Sequence, residues 1–434
     1  MMKYISTAGR APTVDLGGAL RAGLAPDGGL YVPEALPRLS LERFHGTDDL
    51  ATTAEHLLRP FFAGSELEAD LRAICGEALD LPLPLVPVEP GRSWILELFH
   101  GPTAAFKDFA ARFLAACMQR LRRPDDPVQT VLVATSGDTG GAVAAAFHRR
   151  PGFRVVILYP DGRVSARQAH QLGAFGDNVH TFKVKGNFDD CQRLAKRALN
   201  DETLAEKLAL TSANSISIGR LLPQISYYAN ASLRIQGDAQ GPVDVIVPTG
   251  NLGNALAAIL ARDCGFPIAE IVLATNANPT LEDYFSGRDY EGRPGIETLA
   301  NAMDVGDPSN FERLAWFYRD RDLRRAGISA VRIDDETIRA CIRRVFDASG
   351  MPICPHTACA IEVLERRRQA GMTGPHLVAA TAHAAKFEGV VEPLIGQSLE
   401  APPALADLLQ RPSRAEAMEP DEASLRHALE RLVS

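Results

Sequence analysis

Residues 131–147 read VLVATSGDTGGAVAAAF, a run of strand-forming residues followed by a glycine loop and an alanine-rich helical stretch. Residues 245–260, VIVPTGNLGNALAAIL, show the same order of strand, polar glycine loop and helix. In open α/β sheets, ligands bind at loops of this kind at the carboxyl ends of the strands. Their backbone amides can surround a phosphate, and the helix dipole favours its negative charge. The two stretches therefore predict an α/β fold with two candidate anion-binding loops.

Either loop could equally be a plain turn between a strand and a helix. Neither carries the G-x-G-x-x-G pattern of dinucleotide sites, and no lysine in them follows the pattern G-x-x-x-x-G-K-[ST] of nucleotide-binding loops. A nucleotide-binding regulator is therefore disfavoured.

Short β-branched runs alternate with helical patterns from about residue 94 onward, which predicts βαβ units and a mostly parallel sheet. The predicted strands are WILELF (94–99), TVLVAT (130–135), RVVILY (154–159), VHTFKV (179–184), VDVIVP (243–248), IVLATN (271–276) and HLVAAT (376–381).

Two changes in composition predict domain boundaries. The first 90 or so residues show no clear strand alternation, and they close with the proline-dense stretch LPLPLVPVEPGR at 81–92. Glycine and proline again interrupt the pattern near residues 238–244. We therefore predict three parts, which are 1–92, 93–240 and 241–434.

The chain has 434 residues, of which 46% are hydrophobic and 23% charged, and a formal net charge of -8. This length predicts more than one packed domain, and the acidic balance argues against a nucleic-acid or anionic-membrane partner. No stretch approaches the roughly 20 apolar residues of a membrane span, and the N-terminus has no apolar signal region. We therefore expect a cytoplasmic protein.

The seven cysteines are scattered and odd in number, which is typical of reduced thiols rather than of a disulfide framework. Cys354, His356 and Cys359 lie close together, but no second ligand pair follows at zinc-site spacing. We predict no metal.

Lys107 is one of only seven lysines among 46 basic residues, so arginine is the usual cation of this chain. It lies in HGPTAAFKDFAARF (100–113), at the start of a helical pattern whose apolar spacing indicates burial. A lysine desolvated near Phe106 and Phe109 can lose its proton and form an imine, which an arginine cannot do. The alternative is a lysine on the solvated face of the helix, paired with Asp108 or with a distant carboxylate.

The combination of a buried lysine with two anion loops fits a cofactor that carries a phosphate and an aldehyde. Thr381, at the end of another short strand, could place its hydroxyl against a ring nitrogen, although it could also be a helix cap.

At these residues the chain closely resembles the threonine synthase family of fold type II pyridoxal-phosphate enzymes, and the likeness covers nearly the whole length. The matching segments are GLAPDGGLYVPE (23–34), HGPTAAFKDFAARF (100–113), SGDTGGAV (136–143), GNFDDCQ (186–192), NSISIGRLLPQISYY (214–228), PTGNLGN (248–254), MDVGDPSNFER (303–313), PHTACA (355–360) and TAHAAKF (381–387).

The resemblance implies two open, mostly parallel sheet domains with helices on both faces, together with an N-terminal extension domain. Residues 1–92 would be that extension. Residues 93–240 would carry the cofactor lysine and the smaller α/β domain, and 241–434 the phosphate loop and the C-terminal helices.

The resemblance also assigns the site. Lys107 would bond to pyridoxal 5′-phosphate as a Schiff base and move protons at Cα and Cβ of the substrate. Thr381 would face the pyridine nitrogen, and Asp138 would also bind the cofactor. The phosphate loop would consist of Gly250, Asn251, Leu252 and Asn254. The substrate-side residues would be Ser136, Gly137, Thr139, Asn214, Ser215, Arg220, Gln224 and Lys386.

The implied reaction converts O-phospho-L-homoserine and water to L-threonine and phosphate, the last step of threonine biosynthesis, in a monomer or weak homodimer. Phosphate would leave from Cγ and water would add at Cβ. Candidate cations for the leaving phosphate are Arg220, Lys183, Lys185 and Lys386.

Three alternatives remain. A phospholyase of the same family would give 2-oxobutanoate, ammonia and phosphate. A serine or threonine dehydratase is disfavoured by the N-terminal run and by MDVGDPSNFER. A catalytically silent binding protein is disfavoured because Lys107 and both loops are present.

Overall fold

The computed structural model describes residues 1–47, 49–238 and 241–433. Their strands form three sheets, and two of these, with six and five strands, are covered by helices. The α/β class predicted from the alternating pattern is confirmed.

The N-terminal part holds a two-stranded antiparallel sheet, β1 (Tyr4–Ser6) and β2 (Tyr31–Pro33). Its helices are α1 (Leu16–Ala22), α2 (Leu50–Phe62) and α3 (Leu71–Ala78). Helix α2 begins because Asp49 accepts a hydrogen bond from the amide of Thr52, and its apolar face is buried. The short strands lie in a region where the sequence showed no strand alternation, because three residues are too few to display a period.

The six-stranded sheet has the order β11-β10-β9-β12-β4-β3. Its strands are β3 (Leu85–Glu89), β4 (Ser93–Glu97), β9 (Val243–Pro248), β10 (Ile268–Thr275), β11 (Ile328–Arg332) and β12 (His376–Ala380). All neighbours are parallel except β3 and β4. The proline-dense stretch therefore contains an edge strand, where Pro87 is tolerated because an edge does not need every amide.

The five-stranded sheet is parallel throughout, in the order β13-β7-β6-β5-β8. Its strands are β5 (Gln129–Ala134), β6 (Phe153–Pro160), β7 (Val179–Val184), β8 (Leu210–Thr211) and β13 (Glu416–Met418). All seven strands predicted from the sequence are present in these two sheets, whereas β3, β8, β11 and β13 were not predicted.

Helices surround both sheets. They are α4 (Lys107–Leu121), α5 (Asp138–Phe147), α6 (Ala166–Gly173), α7 (Phe188–Asn200), α8 (Glu202–Leu208), α9 (Ile218–Asp238), α10 (Gly253–Asp263), α11 (Thr280–Phe285), α12 (Phe311–Phe317), α13 (Asp335–Ser349), α14 (Pro355–Gln369), α15 (Glu388–Ile395), α16 (Pro403–Gln410) and α17 (Glu422–Arg431). Four short 3-10 helices are Leu41–Phe44, Asn301–Met303, Leu323–Arg325 and Ala384–Phe387. Helix α4 is buried along most of its length, as its apolar spacing predicted.

The predicted domain boundaries stay a prediction. The first lies in the turn between β3 and β4, so by its hydrogen bonds the six-stranded sheet begins before residue 93. The second, at residue 240, lies outside the described residues.

Candidate active site

A cavity of about 320 Å³ lies at the carboxyl ends of strands from both large sheets, as the position rule for α/β folds predicts. The predicted site residues that line it are Lys107, Ser136, Asp138, Thr139, Asn214, Ser215, Arg220, Gln224, Gly250, Asn251, Leu252, Asn254 and Thr381. Two predicted residues, Gly137 and Lys386, are not among its lining residues.

Lys107 is the first residue of α4. The preceding amide, of Phe106, donates a 2.8 Å hydrogen bond to the carbonyl of Thr381, which fixes the helix start against the end of β12. Burial lowers the pKa of Lys107, and the charges of Lys386 and Arg220 act in the same direction, while Asp138 opposes them. The amine is therefore easier to deprotonate than an ordinary lysine.

Asp138 is a buried carboxylate between two lysines. Its Oδ1 lies 2.7 Å from Lys386 Nζ and accepts a 2.9 Å bond from Gln168, and its Oδ2 lies 3.8 Å from Lys107 Nζ. Burial opposes its ionisation, but Lys386 and Lys107 together hold the pKa of Asp138 well below its usual range. Asp138 is therefore a fixed negative charge beside the reactive amine.

Lys386 was predicted to bind substrate, and the structure places it behind Asp138 instead. Its Nζ donates to the carbonyl of Thr103 at 2.7 Å as well as pairing with Asp138, and its side chain is buried. A cation held by these two acceptors stabilises Asp138 rather than reaching into the cavity.

The loop at 249–254 was predicted to bind an anion, and its main chain is open to a ligand. Within the described chain, the amides of Gly250, Asn251, Leu252 and Gly253 have no acceptor. Gly250 has no room for a side chain, because a Cβ there would lie 2.6 Å from the Cα of Met303. Leu252 has a φ of 62°, a left-handed conformation that turns the chain into α10. These are the features of a backbone site for an anion.

The two asparagines of this loop have different partners. Asn251 donates through Nδ2 to Ser215 Oγ at 2.7 Å and accepts at Oδ1 from the amide of Ser309 at 2.6 Å. Asn254 accepts at Oδ1 from the hydroxyls of Tyr227 and Tyr228, whereas its Nδ2 is buried without a protein partner. Asn251 therefore holds the loop, and Asn254 has a donor left for a ligand.

The loop before α5 is partly used by the protein itself. The amides of Gly137 and Gly140 both donate to Thr135 Oγ1 at 2.9 Å, so the predicted role of Gly137 as a ligand-binding amide does not fit its position. Among the described residues, the amides of Ser136 and Thr139 have no acceptor and lie at the cavity.

Arg220 is the buried cation of the substrate-side segment. It donates through Nη1 to the carbonyl of Ala213 at 2.6 Å, while its Nε has no protein partner. Burial lowers the pKa of Arg220 to about 10, so the guanidinium stays charged at neutral pH. Of the other three candidate cations for phosphate, Lys386 pairs with Asp138, and Lys183 and Lys185 pair with Asp161 and Glu419 away from the cavity.

Several lining residues were missed as individuals, although they lie in motifs that the resemblance had singled out. They are Asp189 and Gln192 of GNFDDCQ, Met303 to Asp307 of MDVGDPSNFER, and His356 of PHTACA. Arg293 also lines the cavity and lies in no quoted motif. Burial raises the pKa of Asp304 to about 7 against the hydrogen bonds that it accepts from Thr298.

A buried arginine, Arg313, holds segments around the cavity in place without lining it. It was not predicted from the sequence either. It donates to the carbonyls of Tyr31 at 3.1 Å, Ser215 at 3.4 Å and Ile216 at 2.5 Å, and to Asn310 Oδ1 at 2.9 Å. Asn310 Nδ2 in turn donates to the carbonyl of Asn251 at 3.1 Å. One side chain thus joins the N-terminal part, the substrate-side segment and the phosphate loop.

Together these groups suit a ligand with a phosphate and a carbonyl. The unpaired amides of the loop and Asn254 Nδ2 offer donors to the phosphate, and the pKa-lowered amine of Lys107 can attack a carbonyl carbon. The described residues contain no group of three or more His, Cys, Asp or Glu that could hold a metal. No helix in the described ranges has the length and apolar character needed to span a membrane.

Comparison with known proteins also indicates a ligand with a phosphate and a carbonyl. Residues 81–382 match the family model "Pyridoxal-phosphate dependent enzyme", 3–79 match "Threonine synthase N terminus", and 357–429 match "Threonine synthase, C-terminal". Threonine synthase of Serratia marcescens is 37% identical over 93% of this chain and 94% of its own.

Solved structures agree over the whole length. Threonine synthase from Escherichia coli superposes with a TM-score of 0.92 at 35% identity, covering 99% of this chain and 100% of its own. The pyridoxal-phosphate-bound enzyme from Brucella melitensis gives a TM-score of 0.90 at 35% identity, covering 99% of each chain. The chain belongs to the threonine synthase family, a fold type II family of lyases whose cofactor is pyridoxal 5′-phosphate.

Proposed function

We propose that this chain converts O-phospho-L-homoserine and water to L-threonine and inorganic phosphate. The observation that carries the proposal is the cavity in which the pKa-lowered amine of Lys107 meets the unpaired amides of the 249–254 loop. When bound, pyridoxal phosphate supplies an electrophilic carbonyl and withdraws electrons from the substrate Cα.

The cofactor phosphate is assigned to the loop before α10. The amides of Gly250, Asn251 and Leu252 and the Nδ2 of Asn254 would donate to it, and the positive end of α10 would favour its charge. Thr381 follows β12 at the cavity wall, where its hydroxyl would meet the ring nitrogen.

Replacing Gly250 with alanine should raise the dissociation constant of pyridoxal phosphate tenfold or more. The new Cβ would lie 2.6 Å from the Met303 Cα, so the loop must shift and its amides lose their alignment, at a cost of about 1–3 kcal/mol. Fluorescence titration with the cofactor measures the effect. Gly253→Ala is the matched control, since its Cβ would find its nearest atom, Asn310 Nδ2, at 3.5 Å. Equal affinities for pyridoxal phosphate in the two variants would contradict the assignment of the cofactor phosphate to this loop.

Lys107 is the proton carrier of the proposed mechanism. Its amine, once free, removes one proton from Cα and then one from Cβ of the substrate, and phosphate leaves from Cγ. Two protons then return, one to Cγ and one to Cα, while the hydroxyl of water bonds to Cβ and the remaining proton of water goes to the released phosphate. Asp138 keeps the amine close through the 3.8 Å contact, and Lys386 keeps Asp138 ionised. Lys386 is thus proposed as a positioning residue.

The substrate is held by the remaining groups of the cavity. Ser136 and Thr139, whose amides are free, would bind the carboxylate near the start of α5. Arg220 lines the cavity and its charge lowers the pKa of Lys107, and its unpartnered Nε would donate to the leaving phosphate. Neutral donors and acceptors beside it are Asn214, Ser215 and Gln224.

The test is a product assay on purified protein loaded with pyridoxal phosphate. With O-phospho-L-homoserine, equimolar threonine and phosphate are expected. Phosphate with 2-oxobutanoate and ammonia would show a phospholyase, and bound cofactor without turnover would show a silent binding protein. Only the first outcome supports the proposal.

We also propose that the enzyme works in the cytoplasm as a monomer or weak homodimer on this small-molecule substrate. The support is the acidic net charge of -8, together with the resemblance to monomeric or weakly dimeric members of the family. Light scattering on the loaded protein at several concentrations tests the oligomeric state, and a stable tetramer would contradict it.

A further inference from the structure

His356 is a buried cavity residue to which the assignments above give no role. It lies in the first turn of α14, whose N-cap is Cys354, and its side chain is only 3% exposed. The ring of Phe387 packs against it with centroids 4.8 Å apart, so the imidazole is held in one orientation.

The hydrogen bond at Nε2 decides which nitrogen of this ring carries the proton. The amide of Ala302 donates to Nε2 at 3.2 Å, so Nε2 is an acceptor and has no hydrogen. Burial lowers the pKa of His356 to about 4, and Lys107 and Lys386 add to this effect against Asp138. The ring is therefore neutral at pH 7, with its proton on Nδ1.

That Nδ1–H is a buried donor without a partner among the described residues. The carboxylate in its neighbourhood, Asp138, is already engaged by Lys386, Gln168 and Lys107. A buried donor left without an acceptor is unfavourable, so a group bound in the cavity is its natural partner.

We propose that His356 is a ligand-binding residue whose Nδ1–H donates to an anionic oxygen held beside Lys107. The proposal rests on the proposed function, since the oxygen belongs either to bound pyridoxal phosphate or to the amino-acid substrate. The positive end of α14 favours an anion there, and the charges of Lys107 and Lys386 act against that of Asp138 at this ring.

Two substitutions separate the two nitrogens of the ring. His356→Asn places an amide donor near the position of Nδ1 and loses the acceptor for Ala302. His356→Gln places an oxygen near the position of Nε2, keeps an acceptor for Ala302, and loses the Nδ1 donor. The apo form of the Gln variant should therefore keep the wild-type thermal stability, whereas ligand binding should weaken in it and be largely retained in the Asn variant.

Two titrations identify the ligand. If the oxygen is on the cofactor, the dissociation constant of pyridoxal phosphate measured without substrate rises about tenfold or more in His356→Gln. If it is on the substrate, cofactor affinity is unchanged, and the absorbance change of the loaded enzyme needs about tenfold more O-phospho-L-homoserine. Wild-type affinities for both ligands in His356→Gln, or equal losses in both variants, would overturn the proposal.

A third measurement uses the wild-type chain and does not depend on either variant folding. In protein labelled with 15N-histidine, the Nδ1 resonance of His356 should shift when the responsible ligand is added, and an unmoved resonance with both ligands bound speaks against the contact. Failure of the wild type to bind pyridoxal phosphate at all would instead refute the proposed function, so the two failures are distinguishable.

Discussion

Replacing Lys107 with alanine should lower kcat/KM for O-phospho-L-homoserine by a factor on the order of 10⁴ to 10⁶ and leave the fold intact. The amine is both the group that bonds to the cofactor and the group that moves protons, so its loss removes two functions at once. The fold should survive because Asp138 keeps its 2.7 Å ion pair with Lys386. The measurement is steady-state release of phosphate, with circular dichroism as the check on folding.

Two further variants give this experiment its controls. Lys107→Arg keeps the positive charge but cannot lose its proton, so it should be as inactive as the alanine variant. Lys196→Ala removes an exposed lysine of α7 and should behave as the wild type. Borohydride should link the cofactor covalently to the wild type and not to either Lys107 variant. Activity within tenfold of wild type in Lys107→Ala would show that another group moves the protons.

The second large effect is expected for Arg313→Met, which should lower the free energy of unfolding by roughly 2–4 kcal/mol. Methionine fills much of the space but leaves four acceptors without Arg313. The carbonyl of Tyr31 and Asn310 Oδ1 are buried, and the carbonyls of Ser215 and Ile216 are partly buried. Removing a buried charge offsets part of this cost. Urea unfolding of the apo protein is the measurement.

Arg319→Met is the matched control, because Arg319 lies just beyond the same helix with a half-exposed side chain. Its loss should change the stability by less than about 0.5 kcal/mol. If the free energy of unfolding falls no more in Arg313→Met than in this control, the hydrogen bonds of Arg313 do not stabilise the protein. Because Ser215 and Ile216 line the cavity, Arg313→Met should also raise KM for the substrate more than it lowers kcat.

The sequence was informative where function depends on local order. Lys107 follows a strand and begins a helix, and the glycine loops begin α5 and α10, so their meeting at strand ends followed from the α/β pattern alone. The seven strands were recognisable because each has five or more residues with a strong β-branched or apolar character. The short strands β8 and β13 and the proline-containing β3 gave no such signal.

Contacts between distant segments could not be predicted from the sequence. Lys386 lies in a motif of the resemblance, but only the folded chain shows that Asp138 and Thr103 take up its ammonium. The partners of Arg313 at Tyr31 and Ile216 are equally remote along the chain. A pattern of residue types predicts which face is buried, and it does not specify which polar groups meet there.

His356 illustrates the same point at a single atom. The motif PHTACA marks its segment, and the nearby cysteines suggest only a metal site, which the ligand spacing does not support. Its candidate role depends on one amide, that of Ala302, which fixes the proton on the opposite ring nitrogen. Such a tautomer is a property of tertiary structure and has no signature in the order of residues.

The position of β13 has a consequence for biosynthesis of the protein. This strand pairs Glu416 with Phe182 and Met418 with Val184, so the outer edge of β7 is covered by residues that lie far later in the chain. A ribosome makes β7 long before β13, and during that interval the edge has unpaired main-chain groups that other nascent chains could join. This sheet therefore cannot be completed until residues 416–418 have been made, and chaperone protection would matter most for chains that stall before residue 416.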